Sequence, residues 1–516
     1  GQFAGAAEAL RRSLEQRPGD TNALLCLAAA LRDAGDGLAA LEAYRELFAA
    51  APQCLEADGY RTLGLEEEGI FGRKAVAASQ TKARPSPPHE EQLPRHLADA
   101  RGSMREARKM LGDLGYTAAG VGSRLGVATL AESPGDLHKL REEESVLAKL
   151  EHDALGTLIK LFFFGLCLPH TKVSALGLPV DTWLHAGILV SCAVDACSVL
   201  SPVQLFPLAA GAHEGPLELL VATDWGVPNL LPSAADLVMR IDSCTLALLT
   251  HAPQRPHLRR LLDLCCGNGV QGLVAVASGA AGHVVATDVN ERCIHFTKAN
   301  AILNGVEDHV EAFCSDLYEA LPEGELFDAI YANPPYVPAP FESGLLPNVI
   351  YEHGGTDGSA ILRRVLQGAG GRLRSGGFIL IVTELANIDN CSWLQTECGA
   401  GLHDFHVFHN PGQRWTLAEY VEESCAEHPN GPGRAAWEAA LTEAGIKDIG
   451  CVLVCAKRAD KPPAERAAEG GCLQLHPLTG DGSDFLGVDE DPLPLQQALC
   501  QALCIDLQEP KRRRTK

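Results

Sequence analysis

The chain of 516 residues is poor in aromatic side chains and in basic residues. Aromatic residues make up 5% of the chain and the net charge is −23. A broad surface for binding phosphates is therefore not the default expectation. A local basic patch is still compatible with this composition, so a nucleic-acid substrate is disfavoured but not excluded.

Long apolar runs and paired cysteine motifs are also missing from the sequence. The run 154–169 is interrupted by Lys160 and is too short for a bilayer. The run 176–200 contains Asp181 and Asp195, so we expect a soluble, cytoplasmic protein that does not contact a membrane. The 18 cysteines form no zinc-binding or disulfide pattern, which indicates buried thiols in a reducing compartment and no metal site. The chain begins at Gly1, which leaves open a missing N-terminus and a lost targeting peptide.

The first feature along the chain is an internal repeat in residues 1–60. Gly1 aligns with Gly35 and Pro18 with Pro52, a period of about 34 residues with small and apolar residues at helical spacing. This segment resembles the tetratricopeptide repeat and implies an all-α unit that binds a protein partner. An unrelated alanine-rich helical hairpin is the alternative.

Two segments separate this repeat from the rest of the chain. Residues 61–130 are predicted to be a linker, because 79–94 combines prolines and charges without periodicity. Residues 131–235 are apolar at helical spacing and end in a strand-like run, 217–222. They predict a small helical accessory domain compatible with a winged helix.

Residues 236–458 alternate short apolar strands with helices. The predicted strands are 261–264, 284–287, 310–314, 327–332 and 378–383, with a last strand at 451–455. Helices are expected at 291–304 and 359–373, and a helical insert at 415–444 that is broken at 429–433. This order predicts an α/β, Rossmann-like domain with a parallel, doubly wound sheet.

The ends of these strands carry the residues expected to bind a cofactor. Asp263 precedes a turn in which Gly267 and Gly269 lead into a helix and present backbone N–H groups to a ligand. Asp288 ends the next strand, where a carboxylate can accept hydrogen bonds from ribose hydroxyls. Asp316 ends the third strand and is positioned for an adenine amino group. Taken alone, these residues suit any adenosine cofactor, including NAD.

The tetrapeptide Asn333-Pro334-Pro335-Tyr336 ends the fourth strand and narrows the chemistry. The Asn333 side chain and the Pro334 carbonyl are two acceptors that can hold an NH₂ group. The proline-locked turn has no competing N–H at this point. Tyr336 supplies a flat face against which a planar amide or base can stack. The predicted catalytic residues are therefore Asn333, Pro334 and Tyr336, with Asn333 also beside the cofactor.

On these residues, 261–383 resembles class I methyltransferases of the "small domain" kind. The resemblance is closest to release-factor glutamine-N5 methyltransferases and to nucleobase amino methyltransferases, and it includes the turn at 354–358. Over a wider range, about 155–458, the chain resembles bacterial small-domain methyltransferases that have a winged-helix-like N-terminal extension. The resemblance implies S-adenosylmethionine as cofactor and methyl transfer to a planar amide or exocyclic amino nitrogen. The substrate, a protein glutamine or a nucleobase, stays open between the two.

One position departs from the family pattern. Cys265 stands where the turn usually has its first glycine. A cysteine is tolerable there if it keeps a negative φ and its side chain packs away from the methionine part of the cofactor, and the departure bears on the fine geometry of cofactor binding and not on the fold.

Residues 459–516 are rich in proline, glycine and acids and are predicted to be a disordered tail. Its basic end, 511–516, suggests either a nuclear localisation signal or a plain solvated tail. Two other readings of the whole chain stay open: a tetratricopeptide adaptor that retains the methyltransferase fold without turnover, and a small-molecule methyltransferase.

Overall fold

A computed structural model describes most of the chain. The described residues are 2–17, 19–33, 37–50, 70, 95–127, 130, 140, 144–150, 153–191, 197–210, 217–224, 236–253, 258–341, 350–399, 401–427, 432–459, 473–478 and 493–503. The proline-rich stretch 79–94 and the basic end 511–516 lie outside them. Among the described helices, none has both the length and the apolar character needed to cross a membrane.

The described part before residue 236 is largely helical. Its helices are α1 (Gln2–Gln16), α2 (Thr21–Asp33), α3 (Gly37–Ala50), α4 (Arg95–Asp113), α5 (Ala118–Leu125), α6 (Glu144–Lys149), α7 (Ala154–Leu158, continued by the π-helical turn Ile159–Phe163), α8 (His170–Ser174) and α9 (Val180–Ala186). Its strands are β1 (Leu168–Pro169), β2 (Val190–Ser191), β3 (Ser198–Leu200), β4 (Gln204–Ala210) and β5 (Leu217–Thr223).

The remaining elements alternate between helix and strand. The helices are α10 (Ser243–His251), α11 (Val270–Ala277), α12 (Glu291–Asn304), α13 (Ala360–Ala369), α14 (Trp393–Cys398), α15 (Leu417–Glu427), α16 (Arg434–Glu443) and α17 (Leu493–Ala502). The strands are β6 (Leu261–Leu264), β7 (Val284–Asp288), β8 (Val310–Cys314), β9 (Phe327–Ala332), β10 (Leu373–Ala386), β11 (Leu402–Thr416), β12 (Asp448–Arg458) and β13 (Leu473–Pro477).

These eight strands form one sheet in the order β13-β11-β12-β10-β9-β6-β7-β8. The neighbours β8, β7, β6, β9 and β10 are parallel, whereas β12 is antiparallel to both β10 and β11. Each face is buried by helices, as the alternation within β6 shows: Leu261 packs on the α10 side and Leu262 on the α13 side. The predicted Rossmann-like α/β fold is confirmed, with the correction that the sheet is mixed.

Strand β11 is absent from the sequence prediction, which started a helix at Trp415 instead. Trp415 and Thr416 end this strand, and the helical insert begins at Leu417. The segment 410–413 reads as a turn because it contains Pro411 and Gly412. In the fold it lies where the pairing of β11 with β12 shifts register between His409 and Arg414, so the strand continues across an irregularity.

The prediction of a linker over 61–130 is wrong for its second half, which contains α4 and α5. The apolar residues of α4 recur at helical spacing between charged residues, and Leu97, Met104 and Leu111 are fully buried. The high charge of α4 hides this stripe in a reading of composition alone.

The tail prediction also needs correction, because 459–516 contains β13 and α17. Strand β13 pairs in parallel with β11. Leu495 and Leu499 of α17, four residues apart, are buried in the same cluster as α10. Two leucines one helical turn apart are too short a pattern to predict a helix within an acidic, proline-rich segment.

The N-terminal helices have the predicted all-α character. Helices α1, α2 and α3 share a core that includes Ala7, Leu27 and Tyr44 and reaches Val190 and Leu200 of the accessory region. The helices and the β4–β5 hairpin of 131–235 are present. That these parts are a tetratricopeptide unit and a winged helix stays a prediction.

The accessory region and the sheet domain are joined through α12, which is buried along nearly its whole length. The Asn300 side chain both donates to and accepts from the Ala222 backbone of β5, and Asn304 does the same with Leu220. Arg292 forms an ion pair with Asp224, and the two side chains are 4% and 3% exposed. The backbone hydrogen-bonding groups of Leu220 and Ala222 in the hairpin are thus paired with side chains of a helix.

We predict that Asp224→Asn destabilises the protein by about 3–5 kcal/mol, because it leaves the Arg292 charge buried without its counter-ion. Urea unfolding monitored by circular dichroism measures the change. The control is Asp181→Asn, the same substitution at a side chain that is 93% exposed, which is expected to leave the unfolding midpoint unchanged. Equal midpoints for the two variants would contradict the prediction.

Candidate active site

A cavity of about 400 Å³ opens at the carboxyl end of the parallel strands. Of the residues predicted from the sequence, five line it: Gly267, Asp288, Asp316, Asn333 and Tyr336. They come from the ends of four different strands, which the sheet order brings to one edge. The other three predicted residues, Asp263, Gly269 and Pro334, do not line the cavity.

The glycine loop between β6 and α11 has three residues with positive φ. Gly267 has φ +56°, and a Cβ at this position would meet no atom within 4 Å, so its Cα borders open space. Gly269 has φ +81°, and a Cβ there would lie 2.6 Å from the Thr297 side chain of α12. Gly267 therefore allows a ligand to approach, whereas Gly269 allows α12 to pack against the loop.

Cys265 adopts φ +57°, so the condition of a negative φ is not met. The loop takes the left-handed conformation here even without a glycine. Cys265 also lines the cavity, instead of packing away from it. Burial and the nearby carboxylates raise the pKa of its thiol well above the usual range, which keeps it protonated.

Asp263 stabilises the loop from below. It is 2% exposed, and its Oδ2 accepts a hydrogen bond of 2.9 Å from the Gly272 N–H in the first turn of α11. Burial raises the pKa of this carboxyl to about 8. The structure thus gives Asp263 a role in holding α11 against β6 and no direct contact with the cavity.

Asp288 is positioned by the loop itself. Its Oδ2 accepts from the Gly267 N–H at 3.0 Å and its Oδ1 from the Asn290 N–H at 2.9 Å. The N-cap of α12 is Asn290, whose side chain accepts from the Arg292 N–H, so Asp288 is not the capping residue. Each carboxylate oxygen keeps capacity for a further donor such as a ribose hydroxyl.

Asp316 also lines the cavity and is paired with a cation. Its Oδ2 is 2.9 Å from the Arg364 guanidinium of α13, and both side chains are partly exposed. The pairing holds the Asp316 carboxylate at the end of β8 and leaves its other oxygen outside this hydrogen bond.

The residues fit an adenosine cofactor. Two carboxylates at the ends of the adjacent strands β7 and β8 line the same cavity as a glycine loop whose Gly267 Cα faces open space. Asn333 lines the same cavity, so the space next to the two carboxylates is continuous with the tetrapeptide.

Beyond the tetrapeptide, the cavity continues into a wall that sequence reasoning missed. It is polar and aromatic, and its lining residues include Tyr351, Glu352, Glu384, Trp415, Tyr420 and Glu423. The Tyr420 hydroxyl is 3.2 Å from the Glu384 carboxylate. Three lining residues, Tyr420, Glu423 and Ser424, have the i, i+3, i+4 spacing of one helical face, which was the available signal in the sequence.

The comparisons with known proteins identify the class that this fold and site define. Residues 238–395 match the methyltransferase small domain model. Relatives include the release factor glutamine methyltransferase of Xylella fastidiosa, 30% identical over 34% of this chain and 70% of that protein. The ribosomal protein uL3 glutamine methyltransferase of Bordetella pertussis is 32% identical over 24% of this chain and 43% of its own length. The release factor glutamine methyltransferase of Cereibacter sphaeroides is 34% identical over 23% and 45%.

The chain belongs to the methyltransferase small domain family, as the match to the Xylella protein shows. The predicted methyltransferase class and S-adenosylmethionine as its cofactor are confirmed at the level of this family. The alignment covers about half or less of the first three curated relatives, 43%, 45% and 52% of their lengths.

We predict that Cys265→Gly stabilises the protein by about 1 kcal/mol, because it removes the cost of a side chain in the left-handed region. Thermal unfolding measures the effect. The matched control is Cys266→Gly: Cys266 is buried and has no positive φ, so the same substitution there is expected to lower the unfolding temperature. A loss of stability in Cys265→Gly as large as that in the control would contradict the strain argument.

Proposed function

We propose that the protein transfers a methyl group from S-adenosylmethionine to the side-chain amide nitrogen of a glutamine in a protein substrate. The observation that carries the proposal is the position of Asn333. It follows β9, which the sheet order places between β10, the strand of Glu384, and the strands β7 and β8 that lead to Asp288 and Asp316. All four residues line one cavity. The relatives whose names specify glutamine in a release factor or in uL3 support this acceptor.

The acceptor side disfavours a nucleic acid. Glu352, Glu384 and Glu423 all line this end of the cavity, and the nearby Arg240 is paired with Asp242 at 3.1 Å. A phosphate backbone that approached this wall would meet carboxylates, and the chain as a whole carries a net charge of −23. A neutral amide has no such penalty.

The residues of the chain perform three tasks in the proposed reaction. The carboxylates of Asp288 and Asp316 bind the ribose and the adenine. Asn333 accepts a hydrogen bond from the target NH₂ group and turns its nitrogen towards the methyl donor, while Tyr336 packs along the planar amide. The bound cofactor supplies an electrophilic methyl group, so positioning is the main catalytic contribution required of the protein.

Asn333 has a second effect on the reaction. Positive charge develops on the accepting nitrogen, and an amide oxygen already directed at that nitrogen stabilises the charge. The methylated nitrogen then releases its proton readily, so no dedicated base is required. The Pro334 carbonyl is a second acceptor in this proposal, although the Pro334 ring itself is buried beside the cavity.

The parts outside the catalytic domain complete the proposal. Helices α1 to α3 are proposed to be a tetratricopeptide unit that binds a protein partner, and the accessory region to be a winged helix that packs on the catalytic domain. The adaptor alternative predicts partner binding without turnover, and calorimetry with the cofactor separates the two: absence of binding at millimolar cofactor would favour the adaptor.

The direct test uses a bacterial release factor and uL3, both purified from cells that lack their own glutamine methyltransferases. We expect methyl label from the cofactor to appear on protein, insensitive to RNase, and mass spectrometry to locate it on a glutamine side chain. Label that disappears after RNase treatment would contradict the proposal.

We predict that Asn333→Ala lowers kcat by about 10²–10³-fold, because it removes an acceptor that acts on developing charge. The cofactor Kd is expected to rise by less than about tenfold, since the two carboxylates remain. Steady-state kinetics and calorimetry measure the two quantities. Asn390→Ala, the same change at an exposed turn, is the control and should retain full activity. An unchanged kcat in Asn333→Ala would rule out the assigned role.

A further inference from the structure

Cys244 is in the first turn of α10, far from the tetrapeptide in sequence but next to it in space. The helix is fixed at this end by Asp242, whose carboxylate accepts from the Ser243 N–H at 2.7 Å. On its other side α10 packs against α17 through a shared apolar cluster that contains Cys244 and Leu499. Cys244 is 3% exposed, so its sulfur occupies a fixed place in the core.

This sulfur contacts the first residue of the tetrapeptide. The Asn333 Nδ2 donates a hydrogen bond to the Cys244 Sγ at 3.4 Å. Tyr336 packs against the apolar cluster that contains Cys244. One atom of a neighbouring helix therefore restrains the amide that the proposed reaction uses.

The structure places the nitrogen end of the Asn333 amide against Cys244. The oxygen and nitrogen ends of an amide have nearly the same shape, so packing alone does not distinguish them. When Nδ2 is held by Cys244, Oδ1 is directed away from the sulfur. Asn333 lines the cavity, so the oxygen is the end available to a target NH₂ group. In the reverse orientation, the Asn333 NH₂ group would face the target NH₂ group, and neither could accept a hydrogen bond from the other.

The thiol contacts Asn333 without bringing a charge into the site. Burial and the nearby Asp242 raise the pKa of Cys244 above its ordinary value, so the sulfur is neutral. It accepts from Nδ2 without adding a charge next to the acceptor pocket.

We propose that Cys244 is a positioning residue, which sets the orientation of the Asn333 amide so that Asn333 offers its oxygen to the methyl-accepting nitrogen. The inference rests on the proposed function for the identity of that nitrogen. The contacts themselves do not depend on it.

The first experiment is a double-mutant cycle in urea unfolding of the full chain, with Cys244→Ala, Asn333→Ala and the combination. We expect the combined loss to be smaller than the sum of the two single losses, because either single change already removes the same contact. Additive losses would show that the two side chains are not coupled and would overturn the inference. This readout needs no substrate.

The second experiment measures kcat, acceptor KM and cofactor Kd for Cys244→Ala, Cys244→Ser and Cys455→Ala. Cys455 is a fully buried cysteine of the same apolar cluster and is the matched control for lost volume. We expect Cys244→Ala to lower kcat about tenfold with the cofactor Kd within about twofold of wild type. The serine variant keeps a hydrogen-bonding atom and should recover most of kcat.

Two kinetic outcomes would overturn the inference: a serine variant as slow as the alanine variant, or a Cys455→Ala variant as slow as Cys244→Ala. If the wild-type protein methylates no glutamine, the proposed function fails. The unfolding cycle still decides whether Cys244 holds Asn333, so the two failures are distinguishable.

Discussion

The structure depends on the side chains of α12, because they satisfy backbone groups on two sides at once. Asn300 bonds the Ala222 backbone of the accessory hairpin and also donates to the Asn268 carbonyl in the glycine loop. Thr297 donates to the Gly267 carbonyl in the same loop. Buried backbone groups without partners would be costly, so hairpin, helix and loop form one cooperative unit. The shape of the cofactor loop is consequently tied to the accessory region.

This tie explains which residues of the loop tolerate substitution. Gly269 faces Thr297 of α12 at a distance that leaves no room for a Cβ, so the packing of the helix requires glycine. Cys265 has a positive φ as well, but it borders the cavity, where a side chain has space. In the loop, glycine is required for packing at Gly269 and is only conformationally preferred at position 265. This chain departs from the family pattern only at the second of these positions.

The central strands and helices could be predicted from the sequence, because their determinants are local. The bounds of α12, β8 and β9 follow from apolar runs between turn residues, and the structure has the same residues at their ends. The elements that depend on contacts between distant parts of the sequence could not be predicted. Strand β11 crosses Pro411 and Gly412 because β12 pairs with it on either side, and α17 is stable because α10 offers it an apolar face. In the site, Cys244 and Tyr420 reach the tetrapeptide region only through folding.

The same distinction applies to chemistry. A tetrapeptide at the end of a strand specifies two acceptors and a ring, yet an amide can present either end, and a ring needs an anchor to hold its plane. Groups from other elements supply such constraints: Cys244 of α10 holds the Asn333 amide, and Glu384 of β10 accepts from the hydroxyl of Tyr420, another ring that lines the cavity. Because α10 is in turn packed against α17, the proposed positioning links Asn333 to a helix far away in sequence. The motif supplies the atoms, and the surrounding fold determines the direction in which they act.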